Sequence, residues 1–254
     1  MLTLESTEFA TRIAVFSKPD DVPKLARLLV DELGLHPTDA MHEARSVPCV
    51  LTPRLTSANA RRMSAAIERL GLRTEPIHLD ELWAFEDLHS VHQVACRPSG
   101  LEILDLLAHP AELTPWSDLE VLYVGETPAV VSHHQLSGSF SVISATGHLP
   151  DVSIDVLGHT PELWIVCRHS QRVYRLDTSR MNFESLAEHM TNSMRINLRR
   201  LLREIVDHAP QAHLSPTVRE FLDRDKLVRF TSPEQLQNAA QLHLIMARRL
   251  CPAI

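Results

Sequence analysis

The chain has 254 residues, 44% of them hydrophobic and 22% charged, with a formal net charge of −7 at pH 7. That length suits two ordinary domains with real cores, and the acidic balance excludes the overall basic field that nucleic acid or an anionic membrane surface would require. The first residues carry neither a basic flank nor a long apolar core, and no stretch approaches the ~18 apolar residues of a membrane span, so no nucleic-acid or membrane partner and a cytoplasmic location are expected.

The clearest order of elements lies between Arg12 and Ile77. Ile13 to Phe16 reads as a strand, broken by Lys18-Pro19-Asp20-Asp21, whose aspartates suit the positive end of a helix. Leu25, Leu28, Leu29 and Leu33 then recur at helical spacing, and Gly34 stops the run. Pro37-Thr38-Asp39 opens a short second helix carrying Ala40, Met41 and Ala44, which must end by Val47 because the residue before Pro48 disfavours the α region. Cys49-Val50-Leu51 is the next strand. Ser57 is the expected N-cap of a third helix with Ala60, Met63, Ile67 and Leu70 as its stripe, and Arg73 to Ile77 closes as a strand.

This order of strand, helix, helix, strand, helix, strand resembles the C-terminal domain of the bacterial ribosomal stalk protein and its structural cousin, the substrate adaptor of the Clp protease. The resemblance covers about a quarter of the chain. It is carried by Gly34-Leu35 before Asp39-Ala40, by Leu51 to Leu55 leading into Ser57-Ala58-Asn59-Ala60, and by Ile67-Glu68-Arg69-Leu70-Gly71. It implies a compact module whose relatives dock other proteins. Where the stalk family presents a second glycine and two lysines to translation factors, this chain has His36, Thr38 and Met41, so association with those factors is not expected.

A domain boundary is expected after Ile77, giving an N-terminal α+β module over residues 1–80 that folds on its own, and a second domain over 81–254 with 81–88 as a linker. From Leu88 short apolar runs alternate with turn signals, the pattern of antiparallel sheet. Strands are expected over Val91–Arg97, Leu101–Leu107, Leu113–Trp116, Leu119–Val124, Val152–Leu157, Leu163–Cys167 and Arg172–Leu176, with a long loop within Ala129–Gly147. A helix of about six turns follows, on Leu186, Met190, Met194, Leu198, Leu201, Leu202 and Ile205. A last helix opens at Ser232-Pro233-Glu234 and runs to Leu250. Several antiparallel strands before capping helices, with Pro115 to Leu119 at a strand start, are similar to bacterial pleckstrin-homology-like barrels. The fold class expected is therefore α+β, a small three-helix module followed by a β-rich, barrel-like domain with C-terminal helices.

Motifs for chemistry are mostly missing. The sequence contains no GxGxxG, P-loop, GxSxG or HExxH, and its 7 glycines leave few loops to cradle phosphate, so no cofactor is expected and an enzyme is disfavoured. Cys49, Cys96, Cys167 and Cys251 are dispersed without a CxxC pair, as for thiols in a reducing compartment. The 15 histidines offer the only metal-ligand candidates: His89, His92 and Cys96 at helix-compatible spacing, and the pair His133-His134. In a strand, however, His89 would face away from the other two, and adjacent side chains such as His133 and His134 point apart.

Two features read as contact surfaces. Arg195, Arg199, Arg200 and Arg203 run along the long helix and form either a solvated face or a basic surface for an acidic partner. Leu242, Ile245 and Met246 widen the apolar arc of the last helix beyond one packing surface, so that helix needs two neighbours, the long helix and either the barrel or its copy in a homodimer. The leading functional reading is a non-catalytic protein-interaction or scaffold protein with an unidentified protein partner. The alternatives are a metal- or small-ligand-binding protein using the histidines, and a hydrolase with an unrecognised site.

Overall fold

The structure, a computed structural model, describes residues 9–82, 88–105, 107–132, 154–170 and 172–250. It is an α+β protein. The N-terminal module runs β1 (Thr11–Val15), α1 (Val22–Leu33), α2 (Pro37–Ser46), β2 (Cys49–Val50), α3 (Ser57–Glu68) and β3 (Thr74–His78). Local chemistry places each helix end. Asp21 accepts from the Lys24 N–H at the start of α1, Gly34 ends it in the left-handed region at φ 65°, and Thr56, one residue before the expected cap, accepts from Asn59 at the start of α3. Its three strands pair antiparallel in the order β2-β1-β3.

The second half contains β4 (Leu88–Val91), β5 (Gln93–Arg97), β6 (Gly100–Leu104), β7 (Pro110–Pro115), β8 (Leu119–Ser132), β9 (Ile154–Cys167) and β10 (Val173–Asp177). These are followed by α4 (Met194–His208), β11 (His213–Leu214), α5 (Pro216–Arg224) and α6 (Pro233–Leu250). The strands form two open sheets, β11-β8-β9-β10-β4 and β5-β6-β7, and the described strands do not close into a barrel.

The larger sheet is buried on both faces. Val121, Tyr123, Trp164, Val166 and Val173 join the core shared with α6 and the N-terminal module, whereas Leu122, Val124, Leu163, Ile165 and Tyr174 join the core under α4 and α5. Burial on both faces accounts for the uninterrupted apolar runs of β8 and β9, where a half-exposed strand would alternate. Both strands are 14 residues long and extend past the points where Gly125, Pro128 and Pro161 suggest breaks. A register shift between Pro128 and Val130 takes up the irregularity.

Three further expectations are corrected. The segment Val91–Arg97 is two strands in different sheets, because the chain turns at His92. The long helix begins only at Met194, where Ser193 accepts from Ile196 and the Asn197 side chain bonds the Thr191 backbone at 2.8 Å in both directions, holding the preceding segment in a bend. Leu186 lies instead in a separate 3-10 segment, Glu184–His189. Finally, α6 does not pack on α4, which lies across the large sheet from it.

Helix α6 is the central layer. Leu236, Ala239, Ala240 and Leu244 pack with the large sheet and the module core, while Leu242 and Ile245 pack on Ala14, Val50 and Ile77 from the open face of the small sheet. Period-two alternation in β1 explains the division, because Ile13 and Val15 turn toward the helices of the module and Ala14 toward α6. Polar contacts follow the same seam. Arg12 donates to the Leu51 carbonyl at 2.6 Å and to Asn238 Oδ1 at 2.9 Å, and Asn238 donates to the Thr52 hydroxyl at 3.0 Å. Gly125 makes the close approach possible, since a Cβ there would lie 2.4 Å from Leu236 Cδ1 and 2.6 Å from Phe230 Cε2. The N-terminal module is thus contiguous in sequence, but its sheet is closed by the last helix of the chain.

Candidate functional site

Where the module, the large sheet and α6 meet, they leave a cleft of about 660 Å³. Each wall has a local origin. The backbone of Val228 and Phe230 bonds Glu126 of β8 at 2.8 Å on either side, which lays the 228–230 segment along the strand and places Phe230 beside Tyr123. Ser215 caps α5 by accepting from Val218, bringing Pro216 and Thr217 to the rim. From the module come Phe16 after β1 and the end of α2, and from α6 come Ala239, Leu242, His243 and Met246. A volume of this size with a mainly apolar surface is typical of small-molecule sites.

Besides Tyr123, the buried polar side chain of the wall is His243. It is 7% exposed, its ring lies 5.4 Å from that of Tyr123 and 5.9 Å from that of His213, and its Nδ1 is buried with no hydrogen-bond partner among the described residues. His213 Nε2 is in the same condition. Leaving such an atom unpaired costs about 1–3 kcal/mol. Burial, then the neighbouring His213, pushes the His243 imidazole from 6.5 down to about 4, and burial followed by Arg219 lowers His213. His243 is therefore neutral near pH 7, with one ring nitrogen to donate and one to accept. Tyr123 is held protonated by burial, then by proximity to Cys49, with the Thr217 side chain beside its hydroxyl acting in the opposite direction.

Stability should accordingly depend on pH with a definite sign. The unfolded imidazole takes up a proton below 6.5 and the folded one resists until about 4, so the contribution of neutral His243 is complete above 6.5 and is lost as pH falls through that window. The expected slope is about 1.4 kcal/mol per pH unit, with His213 acting in the same direction. Urea melts between pH 7 and 5 should become less steep in pH for His243→Gln; an unchanged slope would refute the assignment.

Charges at the cleft are unevenly paired. Arg229 is 3.1 Å from Glu126 and Glu220 is 3.9 Å from Lys226, while Lys18 and Arg45 are exposed and make no ion pair among the described residues. The site offers an apolar enclosure, a neutral imidazole and a basic rim. Among the described residues no cysteine lines the cleft, and burial raises Cys49 strongly and pushes Cys96 and Cys167 up to about 12.

Of the residues singled out from sequence, Leu242 and Met246 line the cleft and the others lie elsewhere. His89 sits in β4 beside the Tyr174 ring, His92 Nδ1 is 3.3 Å from the Arg180 carbonyl oxygen, and Cys96, in the other sheet, lies near Glu204, so the three do not converge. His133 and His134 lie outside the described residues, among which no cluster of three His, Cys, Asp or Glu could hold a metal ion. Among the same residues no helix is long and apolar enough to cross a membrane. The arginines of α4 are engaged within the chain. Arg195 reaches Glu126 at 2.8 Å and Asp225 at 3.0 Å, Arg199 and Arg203 donate to the Leu222 carbonyl near the end of α5, and Arg200 bonds the His189 carbonyl. Leu242 and Ile245, the proposed dimer face, are buried against the small sheet.

Sequence reasoning missed Tyr123, His213 and His243. Only the start of α5 left a signal, Ser215-Pro216, the same cap-and-proline pair that marks α6. No family model matches the chain, and comparison with curated proteins and with solved structures finds no significant match, so the reading of the site rests on its own geometry.

Proposed function

We propose that this is a non-catalytic binding protein that holds a small, largely apolar ligand in the cleft between its two modules. The observation that carries the reading is His243, a neutral imidazole whose Nδ1 is enclosed without a partner among the described residues, in the wall of a cleft of about 660 Å³ whose surface is mainly apolar. The order of elements over residues 11–78 supports a stalk-like reading of the first module, whose relatives dock proteins. We place ligand binding ahead of docking because the residues that suggested a docking surface, Arg195, Arg199, Arg203, Leu242 and Ile245, are occupied within the chain.

The test is a fluorescence titration with 1-aminoanthracene, a neutral aromatic probe. Saturable binding at one site is expected, lost in Val228→Trp, because Val228 lines the cleft yet is 37% exposed, so a larger ring fills the mouth without entering the core. Absence of saturable binding to the folded chain, or undiminished binding to the variant, would overturn the reading.

A further inference from the structure

Resting on that reading of the cleft, we propose that its ligand is an amphipathic anion, an apolar body carrying a carboxylate or a comparable acidic head that sits at the rim between Lys18 and Arg45. The charges around the cleft carry the argument. Of its lining groups, Arg229 is neutralised by Glu126 and Glu220 faces Lys226, which leaves Lys18 and Arg45 as cations without an ion-pair partner among the described residues. Phe16, the lining residue two before Lys18, has the Arg73 guanidinium 5.1 Å from its ring centroid and that of Arg249 at 5.8 Å. Arg249 is paired with Glu75, whereas Arg73 adds a further positive charge to the same side.

Helix ends do not reverse this balance. Arg45 lies in the last turn of α2, where a cation complements the negative end of the helix dipole, while the N-terminus of α5 at Pro216 and Thr217 brings a positive end to the cleft lining. A cationic ligand would meet two like charges and no free carboxylate in the lining, and an anionic one would be drawn to the rim while its body displaces water from Phe16, Val228 and Met246.

The experiment displaces 1-aminoanthracene with three ligands that share one ring system: 2-naphthoate, 2-naphthol and 2-naphthylmethylammonium. The naphthoate is expected to bind at least about tenfold more tightly than the ammonium compound, with the neutral naphthol between them, and the ratio should shrink at high salt as the rim is screened. In the double variant Lys18→Glu, Arg45→Glu the order should reverse while saturable binding of the neutral 1-aminoanthracene persists, because both side chains are exposed and outside the core. If the probe binds but naphthoate and ammonium compete equally, or the double variant keeps the original order, the anion assignment falls and the cleft stands. If the probe itself does not bind, the cleft reading falls and this inference with it.

Discussion

A chain ending at Ser232 is expected to lose cooperative folding in both halves. Helix α6 inserts Leu236 and Leu244 into the core shared with the large sheet, and Leu242 and Ile245 onto the open face of the small one. Burying a side chain of this size contributes about 1.5–3 kcal/mol, so the four together contribute about 6–12 kcal/mol. That is comparable with the whole stability of a typical domain, about 5–15 kcal/mol. Removing the helix also strips the hydrogen bonds of Asn238 from Arg12 and Thr52. A fragment limited to the first module lacks the same cover over Ala14, Val50 and Ile77. Near-ultraviolet circular dichroism and a thermal melt of the truncated chain provide the check; a sharp transition within a few degrees of the full chain would show that the two sheets do not depend on α6.

The second large effect is expected at Glu162. This carboxylate is 1% exposed and collects the Arg175 guanidinium at 2.7 Å on both oxygens, the Trp164 indole N–H at 3.1 Å and the Thr127 hydroxyl. All three donors sit on or beside the central pair of long strands. Glu162→Ala leaves them facing a hole and strands the Arg175 charge, and breaking a buried pair by removing one partner costs about 3–5 kcal/mol. Arg175 is itself partly exposed, which favours the lower end of that range. The double variant Glu162→Met, Arg175→Met removes both charges and should recover much of the loss. Equilibrium urea unfolding of the two singles and the double measures the coupling; a Glu162→Ala cost below about 1 kcal/mol, inside the range of an exposed pair, would mean that the cluster is solvated in solution.

The N-terminal helices were legible from sequence because their causes are local. Asp21, Gly34 and Pro37 set helix ends within a turn of themselves, and the spacing of Leu25 and Leu29 or of Met63 and Ile67 selects the buried face whatever lies against it. The same holds for α6, whose start at Ser232-Pro233 and wide apolar arc announced two neighbours. Their identity was not legible. Which surfaces α6 touches depends on how two sheets far apart in the chain stack around it, and side-chain periodicity carries no information about the partner.

The strands failed for a related reason. Val121 to Val124 and Leu163 to Val166 are apolar on both faces because cores lie on both sides, so the period-two signal that would have given their length and orientation is erased. The cleft was beyond reach from sequence altogether. Tyr123, His213 and His243 come together only because β11 pairs in parallel with β8 at Val121 and Leu122, and because α6 crosses between the sheets with His243 turned toward Tyr123. The residues themselves determined which segments form helices and which faces those helices bury. Tertiary packing alone decided that His213 and His243 each bury a ring nitrogen without a partner among the described residues, and that His243 does so in the wall of the cleft, because desolvation depends on the surrounding chain and not on the residue.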